Sequence, residues 1–431
     1  MVKGELNATQ FLKKSMVSGI MQSISVVLTI GGSFVIAKLL GADGFGIYSY
    51  IFSWVMVLSV ICIYGTDDLA IRETGKFIES NRKELHWNFL RWTLRKTGTI
   101  VIAMSILLYL GLILFKNLIP YQYYFPALLA LPSLLFISMH KLSESFLLGQ
   151  KEIVHGQWPE KIIKPGIFLL MILVMFIAGA SLNVSKVVLF NSTSFFVAMI
   201  CSVFLLLKSK IRDVESSPSA KSSWSRSATY FLMLNIVSVI NSRADILMIG
   251  FFRPSEDIGA YALAARLCDF IPFALVVINP VTAPFYASYF KSANNKAAQL
   301  LFSRSARITF IIASAIFLCL YFSGKYILSY FGAAFILAYT PMLILGGGQL
   351  FNAFAGSVGN ILKMAGFEKN AFISQGIAVG CNIVLNLLLI PKYGMNGAAI
   401  ATAFALFLWN FLMIFQVKRK TDINPTALAF K

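Results

Sequence analysis

Charge is scarce in this chain. Of its 431 residues, 13% are Asp, Glu, Lys or Arg and 58% are hydrophobic. Soluble domains carry about 25% charged residues, so this sequence cannot cover a water-facing surface, and a mean hydropathy of +0.76 points to a membrane. Histidine is scarcer still. His86, His140 and His155 stand alone and show no zinc spacing. The five cysteines (Cys62, Cys201, Cys268, Cys319 and Cys381) all fall in apolar stretches, which excludes a disulfide framework on an outer face. No G-x-x-x-x-G-K-[ST] loop is present, so no ATP-hydrolysing site is expected. No A-x-A-like cleavage site follows the first apolar run, and no long outer loop exists to carry a catalytic domain. No enzymatic activity, cofactor or metal site is expected.

What is present is a series of apolar runs, each long enough to cross a bilayer. We place twelve, near 16–39, 45–65, 97–116, 123–148, 161–180, 186–207, 229–252, 257–288, 306–324, 337–362, 371–390 and 395–417. The net charge of +19 is a topology signal rather than a nucleic-acid footprint. With a cytoplasmic N-terminus, 29 of the 37 Lys and Arg fall on the cytoplasmic side. Outer loops hold one each: Lys38, Lys116, Lys186, Arg253, Lys325 and Lys392. Arg243 and Arg266 lie inside spans. Basic residues in short loops fix orientation, so both termini are expected in the cytoplasm, on a face that attracts anionic lipid headgroups.

The expected division is an N-terminal six-helix lobe at 1–207, a Ser-rich basic linker at 208–228, a C-terminal six-helix lobe at 229–418 and a tail at 419–431. The two halves read as repeats. Gly46-Ile-Tyr48 lines up with Gly259-Ala-Tyr261, Pro126 with Pro341, and Gly149 with Gly366, at nearly constant offset. Two parallel repeats imply a pseudo-two-fold axis along the membrane normal, an architecture of transporters.

Polar residues inside membrane helices are costly and mark sites or structural pairs. On the seventh span, Asn235, Ser238, Asn241, Ser242 and Asp245 share an arc of about 120° at 100° per residue. They either line a cavity or hydrogen-bond to neighbouring helices. Arg243 and Asp245 lie on this span, and Arg266 and Asp269 on the eighth. Either the charges pair off, or an Arg is left to meet an anionic group, for which its planar fork suits phosphate. Asp245 and Asp269 are candidates for coupling to H+ or Na+, or for charge pairing. Pro272, Pro280 and Pro284 interrupt the eighth span and Gly346–Gly348 the tenth, so Pro272, Pro280 and Gly347 are candidate hinges. His140 and Glu144, one turn apart beside Lys141, form a charged helix end or a headgroup contact. Gly376-x-x-x-Gly380 is a close-packing pattern.

Four segments carry a family resemblance: LLGADGFGIYSY, YGTDDLAIRE, SRADILMIGFF followed by IGAYALAARL, and NIVLNLLLIPKYGMNGAAIATA. Together they resemble the polysaccharide biosynthesis membrane proteins, the Wzx-type O-antigen flippases of the multidrug/oligosaccharidyl-lipid/polysaccharide exporter superfamily, from about Phe11 to about Lys420. The resemblance implies an all-α membrane protein with about twelve helices in two six-helix lobes around a central cationic cavity. It implies alternating-access flipping of an undecaprenyl-diphosphate-linked oligosaccharide across the bacterial inner membrane. A polysaccharide polymerase and a chain-length regulator would be partners. Arg243, Arg266, Asn235, Asn241, Gln22 and Lys141 would be the substrate-binding residues. The related lipid II flippases carry arginines in the first helix; here that helix has none, only Gln22 and serines before Lys38. The alternatives are an ion-coupled drug or cation exporter of the same superfamily and, more distantly, a membrane glycan polymerase or glycosyltransferase.

Overall fold

The computed structural model describes residues 8–79, 83–208, 221–292, 295–421, 423–425 and 427. Most of the proposed linker, 209–220, lies outside them, as do residues 1–7 of the N-terminal segment. The described chain is all-α. In order the helices are α1 (Ala8–Ile63), α2 (Thr66–Glu79), α3 (Lys83–Leu114), α4 (Tyr121–Ala130), α5 (Pro132–Gly149) and α6 (Ile153–Trp158). A π-helical turn, Pro159–Ile163, joins α6 to α7 (Lys164–Ile177). Next come α8 (Val184–Lys208), α9 (Lys221–Phe252), α10 (Ser255–Cys268), α11 (Phe273–Lys291) and α12 (Asn295–Phe331). The last are α13 (Ala333–Ile336), α14 (Tyr339–Ala355), α15 (Val358–Met364), α16 (Glu368–Tyr393) and α17 (Met395–Thr421).

Among the described residues, eight helices are long and apolar enough to cross a membrane, or nine if the bent pair α10 and α11 counts as one span. The longest apolar segment, Val17–Ile63, has 47 residues. At 1.5 Å per residue that is about 70 Å, against a hydrocarbon core of about 30 Å. It is parted at Gly41, whose φ of 69° and ψ of −176° are non-helical; a residue without Cβ accommodates the left-handed φ without strain.

The chain forms two compact units, and both α1 and α9 are shared between them. The first holds residues 1–32 and 47–243; the second holds 33–46 and 244–431. Sequence reading placed the boundary in the linker; the contacts instead divide each of these two long helices along its length.

In the first unit, one core gathers Ile51, Phe52, Val55, Leu134, Ile137, Val188 and Phe195. A second gathers Leu69, Phe77, Phe89, Leu142, Phe146 and Trp224. The start of α9 docks here through Trp224, whose ring lies 5.0 Å from that of Phe89. Gly65, with φ 66°, lets the chain pass against it: a Cβ there would stand 2.3 Å from the Ala228 carbonyl oxygen.

The second unit is built on small residues. Lipid tails are as apolar as leucine, so helices in a bilayer associate by close packing rather than by exclusion of water. In α10, Gly259, Ala260, Ala262 and Ala264 are buried. In α17, Gly397, Ala398, Ala399, Ala401 and Ala405 are buried. A Cβ on Gly397 would lie 2.4 Å from the Leu389 carbonyl oxygen of α16, and one on Gly348 of α14 would lie 2.9 Å from Ala403 Cα. The pattern Gly397-Ala-Ala-Ile-Ala is therefore a packing face.

Two sequence expectations fall elsewhere. Around Gly376 and Gly380 there is open space where a Cβ would stand, so this GxxxG pattern makes no close helix contact. α14 runs unbroken through Gly347, and the break comes at Gly356, with φ 66° and ψ −147°. Pro272 does sit at a bend. α10 and the start of α11 meet at 50°, with Pro272 in the turn between them. Proline cannot donate the helical hydrogen bond that would carry one helix into the next. Pro280 continues α11 without a break.

Candidate functional site

Asp245 lies seven residues before the end of α9, in the second unit. Its carboxylate is held by neutral donors from three other helices. The Tyr261 hydroxyl of α10 donates to Oδ2 at 2.6 Å, and the Thr402 hydroxyl of α17 donates to the same oxygen at 2.5 Å. Asn386 Nδ2 of α16 donates to Oδ1 at 3.0 Å. One turn earlier on α16, Asn382 Nδ2 donates to Thr402 Oγ1 at 3.1 Å, and Asn382 Oδ1 accepts from Asn386 Nδ2 at 3.0 Å. Tyr261, Asn382 and Asn386 are fully buried. The two hydrogen bonds leave Asn386 Oδ1 as a buried acceptor with no partner among the described residues. The Asp245 carboxylate and the Tyr261 and Thr402 hydroxyls meet here, oxygen groups of the kind small cations take. Among the described residues no arginine pairs with Asp245.

The other sequence candidates are distributed. Arg266 pairs with Asp269 at 3.4 Å, with side-chain exposures of 32% and 48%. Such an open, long ion pair contributes little to stability, so the guanidinium can change partners cheaply. Arg243 is half-buried at the end of the α9 stretch that belongs to the first unit. Asn235 is committed there: its Nδ2 donates to Asp68 Oδ2 at 3.0 Å and lies 3.5 Å from Asp67 Oδ1. It ties α9 to the start of α2 rather than facing an open cavity. Asn241 and Gln22 are half-buried. The Ser242 hydroxyl donates to the Ser238 carbonyl of its own helix. The polar stripe therefore splits: Asn235 clamps the first unit and Asp245 anchors the cluster in the second.

Lys141 of α5 is also engaged. Its ammonium sits 2.9 Å from Glu144 Oε2 and 2.9 Å from Glu160 Oε2. Glu160 comes from the π-helical turn, in which an extra residue per turn shifts the helix face. This charged cluster lies wholly in the first unit.

Sequence reasoning missed Tyr261, Asn382, Asn386 and Thr402 as partners of Asp245. One signal was there to read: Asn382 and Asn386 are four apart on an otherwise apolar helix and so share a face. Tyr261 also belongs to the repeated Gly-x-Tyr pattern.

Residues 11–289, well over half of the chain, match the family model described as polysaccharide biosynthesis protein. Residues 231–388 match the MatE model. A Haloferax volcanii protein described as "Probable low-salt glycan biosynthesis flippase Agl15" is 28% identical over 202 residues, covering 45% of this chain and 42% of that protein. A second from the same organism, "Probable flippase AglR", is 24% identical over 240 residues, 55% of this chain and 50% of that protein. The chain thus spans half or less of these relatives. Among solved structures, an inward-facing multidrug resistance MATE family transporter of the MOP superfamily superposes with a TM-score of 0.74 at 12% identity, over 95% of this chain and 98% of that one. The lipid II flippase MurJ in an inward closed conformation gives 0.73 at 18% identity, over 93% and 87%. At these identities the likeness establishes a shared transporter fold.

Proposed function

Because this chain belongs to the polysaccharide biosynthesis protein family, we propose that it is a flippase that moves an undecaprenyl-diphosphate-linked oligosaccharide repeat unit across the bacterial inner membrane by alternating access. The family match over residues 11–289 carries this reading, and the flippase names of both Haloferax volcanii relatives support it. In this reading the twelve apolar stretches are twelve crossings with both termini cytoplasmic. No covalent step occurs. A polymerase and a chain-length regulator consume the delivered unit. The drug-exporter alternative draws support from the MatE match over residues 231–388 and from the shared fold.

Three parts of the chain take roles in this proposal. Arg266, with its open pair to Asp269, offers a guanidinium to the diphosphate, and Arg243, Asn241, Gln22 and Lys141 add polar contacts to the headgroup. Asp245 takes the coupling cation, H+ or Na+, because its partners are neutral and Asn386 Oδ1 stands unpartnered beside it. A cation bound in one state of the transporter and not in the other shifts their populations by that difference in affinity. The bend at Pro272 lies three residues beyond Asp269 and absorbs the change.

Deleting the gene tests the flippase itself. Lipid-linked repeat units should accumulate on the cytoplasmic face, and surface glycan should be lost. Normal surface glycan in the deletion strain would refute the proposal.

A further inference from the structure

Beside Lys141, which the proposed flipping uses as a headgroup contact, stand three side chains whose chemistry it does not use. His140 and Glu144 on α5 and Glu160 on the π-helical turn present one ring nitrogen and two carboxylate oxygens, all within 4.8 Å of one another. His140 and Glu144 are buried, 2% and 4% exposed. His140 Nδ1 lies 3.1 Å from Ser202 Oγ of α8. That hydroxyl has a single hydrogen and donates it to the Met199 carbonyl at 3.0 Å. Ser202 must therefore accept, which makes Nδ1 the donor and leaves Nε2 with its lone pair. Nε2 is buried and has no hydrogen-bond partner among the described residues. A histidine held through one ring N–H while the other nitrogen offers its lone pair is the arrangement in which histidine ligates metals. The π-helical turn brings in the third ligand, and such turns are frequent at functional sites.

A cation already stands at this point. The Lys141 ammonium bridges the two carboxylates at 2.9 Å each. Its side chain is 38% exposed, so it can withdraw without opening the core. The flanking Lys164 ammonium lies 4.1 Å from the Phe195 ring centre. We propose that His140 Nε2, Glu144 and Glu160 form a binding site for a divalent first-row transition-metal ion, with the Lys141 ammonium as a tethered competitor that fills it when no metal is bound. One imidazole and two carboxylates suit ions such as Zn2+, Mn2+ or Co2+. Both carboxylates lose the ammonium as the metal enters, so a divalent ion that neutralises both takes the place of a monovalent one that neutralises half their charge. Sequence spacing shows no such site because its third ligand belongs to another helix.

The test is Co2+ titration of the full chain, purified in detergent without a polyhistidine tag, read by visible absorption and by thermal unfolding. One saturable Co2+ and a raised apparent Tm are expected for the wild type. His140→Ala should weaken binding at least about tenfold. Lys141→Met should tighten it at least about tenfold, since the competitor is gone. Absence of saturable Co2+ binding by the wild type would overturn the proposal, as would unchanged affinity in His140→Ala. If Lys141→Met does not accumulate in the membrane, the wild type and His140→Ala decide the matter between them. None of these readouts depends on transport, so failure here leaves the flippase reading standing.

Discussion

The carboxylate of Asp245 needs its partners to match it. Three donors from three helices point at its two oxygens. Asp245→Asn keeps the shape but turns an acceptor into a donor facing Asn386 Nδ2 or a hydroxyl. Leaving such buried groups unsatisfied costs about 1–3 kcal/mol. The variant should unfold at lower temperature, still reach the membrane, and lose the response of transport to a Na+ or pH gradient. Transport assays with each gradient imposed in turn check this; a fully gradient-responsive Asp245→Asn would remove Asp245 from coupling. Asp67, outside the spans, makes a different prediction. Burial and then the charge of Asp68 push its carboxyl up to about 6. A carboxyl raised in the folded state binds its proton more tightly there than in the unfolded chain. Stability is therefore greatest when Asp67 is protonated and falls as pH rises from about 4 through about 6. Apparent Tm should drop across that window, and Asp67→Asn should flatten the slope.

At the scale of elements, two helices meet where the repeat had already marked them. A Cβ on Gly46 would stand 1.8 Å from the Ser255 carbonyl oxygen, and one on Gly259 would stand 1.9 Å from the Ala42 carbonyl oxygen. Residues 42 and 255, like 46 and 259, are 213 apart, so each contact is the image of the other under the repeat. The Ser255 hydroxyl also donates to Asp43 Oδ1. The obstacle on each side is backbone, which cannot rotate away as a side chain would. Gly259→Ala should force the crossing of α1 and α10 apart and lower the apparent Tm by several degrees, whereas Gly380→Ala, with open space around it, should leave the Tm unchanged or slightly raised. Equal Tm values would show that the crossing yields freely. The sequence marked these glycines as matched positions of a repeat, but not the crossing they make. It did not reveal the Asp245 cluster in the same way. Asn and Thr are ordinary packing groups in membrane helices, and Thr402 reaches Asp245 across 157 residues of chain. Nor did it reveal Glu160 beside Lys141, since a π-helical turn changes which face a residue takes and leaves no periodicity to read.

At the scale of the molecule, the proposed orientation rests on where the positive charge lies. Six outer loops with one basic residue each, against 29 on the other side, is the asymmetry expected of loops whose Lys and Arg stay in the cytoplasm. The basic side chains proposed for the outer face include Lys116, Lys325 and Lys392, and all three are exposed. They lie between α3 and α4, near the end of α12 and at the end of α16. In this topology an even number of crossings separates them from one another, and an odd number separates each from Lys418 and Arg419 in the last turn of α17. Single cysteines at 116, 325 and 392, introduced into a chain with its five native cysteines replaced, should react with a membrane-impermeant maleimide added to intact cells. Cysteines at 418 and 419 should react only after the membrane is opened. Labelling of 116 but not 392 would mean an odd number of crossings between them, breaking the twelve-crossing count somewhere from the fourth span to the eleventh. Labelling of all five from the same side would leave α17 as a helix that does not cross. Either pattern would overturn the topology while leaving the Asp245 cluster intact, because Asp245, Tyr261, Asn386 and Thr402 all lie within one unit.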